Sequence, residues 1–181
     1  MKNDKLQVKD KLFTISLPEE EILGQVRRVA TEINNDYAGR DPLFLPVLNG
    51  AFIFAADLLR EVNIPCEISF IKLASYMGMQ SSGEIREVIG LAKDITGRHV
   101  IIVEDIIDSG LTMAHMIETL QKHNPASISV CTLLVKPDAL KVQIPINYCC
   151  IEIPNDFIVG YGLDYDGFGR NTRDIYTLCK E

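Results

Sequence analysis

No stretch of the 181-residue chain approaches the roughly 18 consecutive apolar residues of a membrane-spanning helix. The opening decapeptide, MKNDKLQVKD, is polar and leads into no secretory apolar region, so a cytoplasmic location is expected. Lys and Arg number 18 against 25 Asp and Glu, for a net charge of −7. A large nucleic-acid footprint needs clustered bases, and this balance argues against one. No CxxC pair occurs among the five cysteines, Cys66, Cys131, Cys149, Cys150 and Cys179. Reduced, buried thiols are the expectation, with Cys149 and Cys150 on opposite faces of a strand. The three histidines, His99, His115 and His123, stand without metal-ligand company. Internal repeats, low-complexity tracts and interdomain linkers are missing as well.

What remains is an ordinary globule, 47% hydrophobic and 24% charged, of a size for one domain with a substantial core. Its most informative segment is Val100 to Thr112, VIIVEDIIDSGLT. An unbroken Val/Ile run suits a strand buried on both faces of a parallel sheet. The acids Glu104, Asp105 and Asp108 follow at its carboxyl end, where open α/β sheets bind ligands. Ser109-Gly110-Leu111-Thr112 then opens an apolar, helix-like run.

That layout combines an anion cradle with a cluster of negative charge. The first N–H groups of a helix lack intrahelical partners, and the helix dipole favours an anion there. Gly110 permits close backbone approach, and the Ser109 and Thr112 hydroxyls add donors. The GxxxxGK[ST] loop with its phosphate-gripping lysine is absent, so a monophosphate fits better than a nucleoside triphosphate. Glu104 and Asp105 would repel bare phosphate, but they suit sugar hydroxyls or Mg²⁺. Asp108 is free to accept a proton, a service typically worth about 10²- to 10⁴-fold in rate. Any one of these residues alone reads equally well as a helix cap or a solvated loop acid. Their concentration on one strand–loop–helix unit makes the functional reading the stronger.

Around this unit, 11–17 alternates like an edge strand. Pro18 and Glu19–Glu21 start a helix with Ile22, Val26, Val29 and Ile33 on its apolar face. A strand is expected at 43–48, and an apolar helix at 51–62, packed on the sheet or against a partner subunit. Strands are expected near 66–74, 84–92, 127–135, 148–153, 157–161 and 174–179. MGMQSSG (77–83) lacks apolar periodicity, as a lid would. The fold class is α/β: a mainly parallel sheet flanked by helices, with a small hood from the terminal segments.

The VEDIIDSGLT segment resembles the phosphoribosyl pyrophosphate signature of the type I phosphoribosyltransferases, and most closely their hypoxanthine-guanine members. Leu48-Asn49-Gly50-Ala51 is similar to the family's pyrophosphate loop, and Ser75-Tyr76 to the start of its mobile loop (about 75–84). Val135-Lys136-Pro137 resembles the purine-reading lysine segment, and FIVGYGLDY (157–165) the family's FVVGYGLDY signature. The resemblance spans roughly residues 10 to 180. It implies one domain over 1–181, with a core of about 36–155 and a hood from about 1–17 and 156–181.

The implied reaction joins a 6-oxopurine to C1 of phosphoribosyl pyrophosphate, with Mg²⁺ as cofactor. By resemblance, Glu104 and Asp105 hold the ribose hydroxyls and a Mg²⁺, Asp108 is the base near purine N7, and 109–112 bind the 5′-phosphate. Lys136 donates to the 6-oxygen, Phe157 stacks on the ring, and the Ile158 backbone meets the 2-edge. Asp164 holds a second Mg²⁺, and Arg170 reaches the leaving pyrophosphate. Small-molecule substrates are the implied partners, together with further copies of the chain in a homodimer or homotetramer. Two positions depart from the family: Asn49 stands where relatives usually carry Lys or Arg, and the tail DGFGRNT (166–172) has unusual wording around Arg170. In this subfamily the loop backbone, sometimes through a non-proline cis peptide, does much of the pyrophosphate binding. Two other functions use the same residues. A regulator of this fold that senses phosphoribosyl pyrophosphate would bind RNA through a basic face. A Mg²⁺-dependent phosphohydrolase would use the acid cluster to release free phosphate.

Overall fold

The computed structural model describes residues 4–75, 85–89, 91 and 93–179. The lid segment 77–83, and Tyr76 with it, lies outside them.

Two sheets organise the chain. The larger is ordered β6(Ile85–Ile89)-β5(Ile71–Ser75)-β3(Leu43–Leu48)-β7(His99–Ile107)-β8(Ser127–Val135)-β9(Tyr148–Glu152). The short β4(Glu67–Ile68) also pairs with β3. Every pairing in this sheet is parallel except that of β5 with β6. β3, β7 and β8 are apolar almost without interruption and largely buried, as strands covered on both faces must be.

Helices α1(Glu19–Asp36) and α2(Phe52–Glu61) cover one face, where Ile22, Val26, Ile33, Phe54 and Leu58 join Phe44, Ile101 and Leu133 in one cluster. α3(Leu111–Gln121) covers the other with Met113, Met116 and Leu120 against Leu45, Ile102 and Val130. The start of α1 draws on the far end of the chain. Pro18 occupies the N-cap, one place before the expected first turn, and gives no side-chain cap. The Glu19 N–H is met instead by the Asp174 carboxylate at 2.8 Å.

The second sheet is antiparallel throughout, ordered β1(Lys5–Val8)-β2(Lys11–Leu17)-β11(Ile175–Leu178)-β10(Ile158–Val159). Segment 11–17 is therefore not an edge. β1 covers that side, folded back through Lys9 at φ 51°. The expected strand 66–74 is broken in two at Ser69–Phe70, opposite the part of β3 that contains Pro46. Proline has no N–H for the ladder. β10 shrinks to two residues because the chain then enters a run of positive φ at Gly160, Tyr161 and Gly162. All five cysteines are free, but Cys66 is exposed rather than buried, at the margin of β4.

Candidate active site

Register explains how distant residues meet. β7 lies parallel to β8 with Ile107 opposite Val135, so the next residues, Asp108 and Lys136, leave the sheet side by side. The Lys136 N–H donates to the Ile107 carbonyl at 3.0 Å, and its Nζ lies 3.2 Å from Asp108 Oδ2. Lys136 is buried, while Asp108 is open to solvent. On the other side of β7, Pro46 pairs with Val103, which brings the loop after β3 against Asp105. A Cβ on Gly50 would overlap the Asp105 carboxylate, so glycine is required there. The Leu48–Asn49 peptide is cis, as the resemblance allowed, and Asn49 is exposed.

The helix expected after the acids starts at Leu111. Gly110 caps α3 in the left-handed region, at φ 79°, and its carbonyl receives the first helical bond from Ala114. The N–H groups of residues 111–113 precede that first bond, so no turn of helix lies before them to accept. Ser109 holds the turn in place: its carbonyl accepts from Lys141 N–H at 3.0 Å and its Oγ from Leu111 N–H at 3.4 Å. Together with Glu104, Asp108 and Thr112, Ser109 and Gly110 line a cavity of about 120 Å³.

Glu104 and Asp105 are half-buried beside it. Burial, then the neighbouring Asp105 charge, pushes the Glu104 carboxyl well above its usual range. Among the described residues no Lys or Arg pairs with either acid. No group of three or more His, Cys, Asp or Glu among the described residues is arranged to hold a metal. Two hard oxygen donors with uncompensated charge suit an ion that takes its other ligands from water and substrate, which is how Mg²⁺ usually binds.

The hood's turn meets the loop after β3, where a Cβ on Gly162 would overlap the Gly50 carbonyl. Phe157 is half-exposed, with Tyr165 edge-on at 5.7 Å and Phe13 tilted at 6.0 Å, which leaves part of its ring free for stacking. Ile158 is buried in β10 beside it. The Arg170 guanidinium lies 2.7 Å from Asp164 Oδ1 and donates to the Gly162 carbonyl at 2.7 Å. Asp164 also accepts from Gly167 N–H at 2.6 Å. Both side chains are thus engaged with one another in this structure. Ser75 ends β5, opposite Ile85. Tyr161 and Gly162 stand in the FIVGYGLDY signature, but sequence reading assigned them no role of their own. The two glycines flanking Tyr161 were the signal, since adjacent positive-φ positions mark a tight approach of backbone to a neighbour.

A model of the phosphoribosyl transferase domain matches residues 17–166. The chain belongs to the phosphoribosyl transferase family. The hypoxanthine-guanine phosphoribosyltransferase of Mycobacterium tuberculosis is 42% identical over 172 residues, covering 91% of this chain and 85% of its own. The enzyme of the same name from Streptococcus pneumoniae is 37% identical over 168 residues, covering 92% and 93%. A solved hypoxanthine phosphoribosyl transferase of Trypanosoma cruzi superposes with a TM-score of 0.87 at 36% identity, covering 96% of this chain and 95% of that one. A hypoxanthine-guanine phosphoribosyltransferase of Bacillus anthracis, with HEPES in its active site, gives 0.85 at 36% identity, covering 92% and 96%.

For this phosphoribosyltransferase the raised Glu104 carboxyl has a consequence for stability. A folded-state pKa above the unfolded value means that the native state holds the extra proton. Without metal, stability contributed by that proton is lost as pH rises from the ordinary glutamate value of 4.5 through the raised one. Denaturant midpoints followed against pH in chelator should fall more steeply for the native sequence than for Glu104→Gln. Parallel pH profiles would contradict the assignment.

Proposed function

We infer that the protein transfers the 5-phosphoribosyl group of phosphoribosyl pyrophosphate to hypoxanthine, guanine or both, releasing pyrophosphate. The observation that carries this reading is the meeting of Lys136 with Asp108 at the mouth of the 109–112 cradle. One place then offers a donor for a carbonyl oxygen, an acceptor for a proton and a holder for a sugar phosphate.

In the reaction, a purine ring nitrogen forms a bond to C1 of the ribose as the C1–O bond to pyrophosphate breaks. The 5′-phosphate sits on the 109–112 turn, on its amides and the Ser109 and Thr112 hydroxyls, its charge met by the start of α3. Glu104 and Asp105 face the ribose hydroxyls and would be the residues to hold Mg²⁺, which would supply charge compensation to the diphosphate. Lys136 has three donors and no acceptor, so it matches a 6-oxo group and mismatches the 6-amino group of adenine. A site built to bond one polar group can reject the wrong partner by about 10⁴- to 10⁵-fold.

Before the purine binds, the Lys136 charge is balanced by Asp108. When the 6-oxygen takes the ammonium, Asp108 is released to accept a proton from the incoming base near N7. Phe157 stacks on the ring, and the Ile158 backbone meets the 2-edge. The tight Asn49–Gly50 loop receives the pyrophosphate. Asp164 would hold a second Mg²⁺, and Arg170 swings from Asp164 to the leaving group as charge develops there. Ser75 and Tyr76 begin the segment that covers the bound substrate.

Phe52, exposed at the start of α2, fits that helix as the contact in a homodimer or homotetramer. A cytoplasmic enzyme is the natural setting, and no described helix is long and apolar enough to cross a membrane. The regulator and phosphohydrolase readings find no counterpart among the relatives named above, all of which are transferases.

Steady-state assays with hypoxanthine, guanine, xanthine and adenine, at fixed phosphoribosyl pyrophosphate and Mg²⁺, test the reading. Nucleotide and pyrophosphate should appear together with an oxopurine and not with adenine. Asp108→Asn should lower turnover by about 10²-fold or more while inosine monophosphate still binds. Free phosphate released without any purine, or full turnover by the Asn variant, would refute it.

A further inference from the structure

The two loops assigned to pyrophosphate belong to different sheets, and one side-chain hydrogen bond joins the elements that carry them. The Tyr161 hydroxyl donates to Asp57 Oδ2 at 2.6 Å across 104 positions of chain. Its ring is only 2% exposed, and its backbone is held at φ 49° between Gly160 at 106° and Gly162 at 103°. Burial, then the bond to Asp57, pushes the phenol pKa above the usual tyrosine range, so it remains a donor at any working pH.

Asp57 lies on α2, and α2 is continuous with the Gly50 loop. Phe52 N–H donates to the Asn49 carbonyl at 3.3 Å, and Ala55 N–H to the Ala51 carbonyl at 2.8 Å. On the hood side the turn is internally braced. Tyr161 N–H donates to the Thr172 carbonyl at 3.1 Å, and Gly162 N–H to the Arg170 carbonyl at 2.9 Å. The two units touch directly, since a Cβ on Gly162 would overlap the Gly50 carbonyl. Backbone contact this close has no tolerance for sliding, and something must hold the turn in register over the loop.

We propose that Tyr161 and Asp57 are a positioning pair whose hydrogen bond fixes the Asp164 turn against the Gly50 loop, and thereby sets affinity for the pyrophosphate half of the substrate. This rests on the reading above, in which both loops hold pyrophosphate. The purine and 5′-phosphate subsites do not depend on it: Lys136 and the 109–112 cradle are fixed by β7, β8 and α3.

Tyr161→Phe keeps the ring and removes the hydroxyl. It should raise KM for phosphoribosyl pyrophosphate, and for pyrophosphate in the reverse direction, about tenfold, because the lost bond is to a charged acceptor. KM for the purine and for the nucleoside monophosphate should stay within about twofold. Asp57→Ala should do the same, the double variant no more than either alone, and Asp57→Asn, which keeps an acceptor, should restore near-normal KM. Asp57→Ala carries the test if the tyrosine variant is insoluble. The proposal is overturned by an unchanged KM for phosphoribosyl pyrophosphate, by additive single effects, or by all four KM values rising together with a lowered melting temperature. An unaltered protein that forms no nucleotide overturns the underlying reading instead, and the proposal with it.

Discussion

Because β7 is hydrogen-bonded in parallel to β3 on one side and β8 on the other, three turns from distant parts of the chain leave the sheet at one edge. Each delivers a different chemistry: the tight Asn49–Gly50 loop, carboxylates and a helix start at 104–112, and a cation at Lys136. Shifting β8 along β7 by one residue would turn its alternate side chains to the opposite face. Val130, Leu134 and Cys131 are fully buried, so such a slip would press core side chains into the packing of the opposite face as it took Lys136 away from Asp108. The core therefore enforces the site's geometry without any residue being dedicated to it.

The same edge concentrates opposed charge. The protein carries a net charge of −7, yet the substrate implied by its cradle is a polyanion. Attraction must then be local. On the proposed reading the helix start would supply it at the 5′-phosphate, and a cation held with the substrate would supply it where Glu104 and Asp105 would otherwise repel. Lys136 and Arg170 are each paired with an acid, Asp108 and Asp164. On the proposed reading, substrate groups would exchange places with those acids, and the cations would be compensated before binding as well as during it. Buried cations without such partners would be far more costly.

The sequence was legible where one element carried its own pattern. The VIIV run, its acids and the Ser-Gly-x-Thr turn lie on consecutive residues, so strand, site and helix could be read together. Contacts set by tertiary structure left weaker marks. β1 is a four-residue strand that owes its place to pairing with β2, and its KLQV pattern is too short to stand out. The split of the strand at Ser69–Phe70 depends on Pro46 of a neighbouring strand. Asp174 capping α1 and Asp57 receiving Tyr161 join residues more than 100 positions apart, and neither acid differs locally from an ordinary surface carboxylate. The contacts that hold Arg170 without a ligand, to Asp164 and the Gly162 carbonyl, were likewise unreadable from the sequence.

A crystal of the protein grown with inosine monophosphate and Mg²⁺ tests the central claim most directly. The account predicts phosphate on the 109–112 amides, ribose hydroxyls facing Glu104 and Asp105, and the 6-oxygen on Lys136 with Asp108 drawn away from it. Nucleotide bound elsewhere, or a ligand in this cleft that leaves the 109–112 turn empty and the Lys136–Asp108 pair intact, would contradict it.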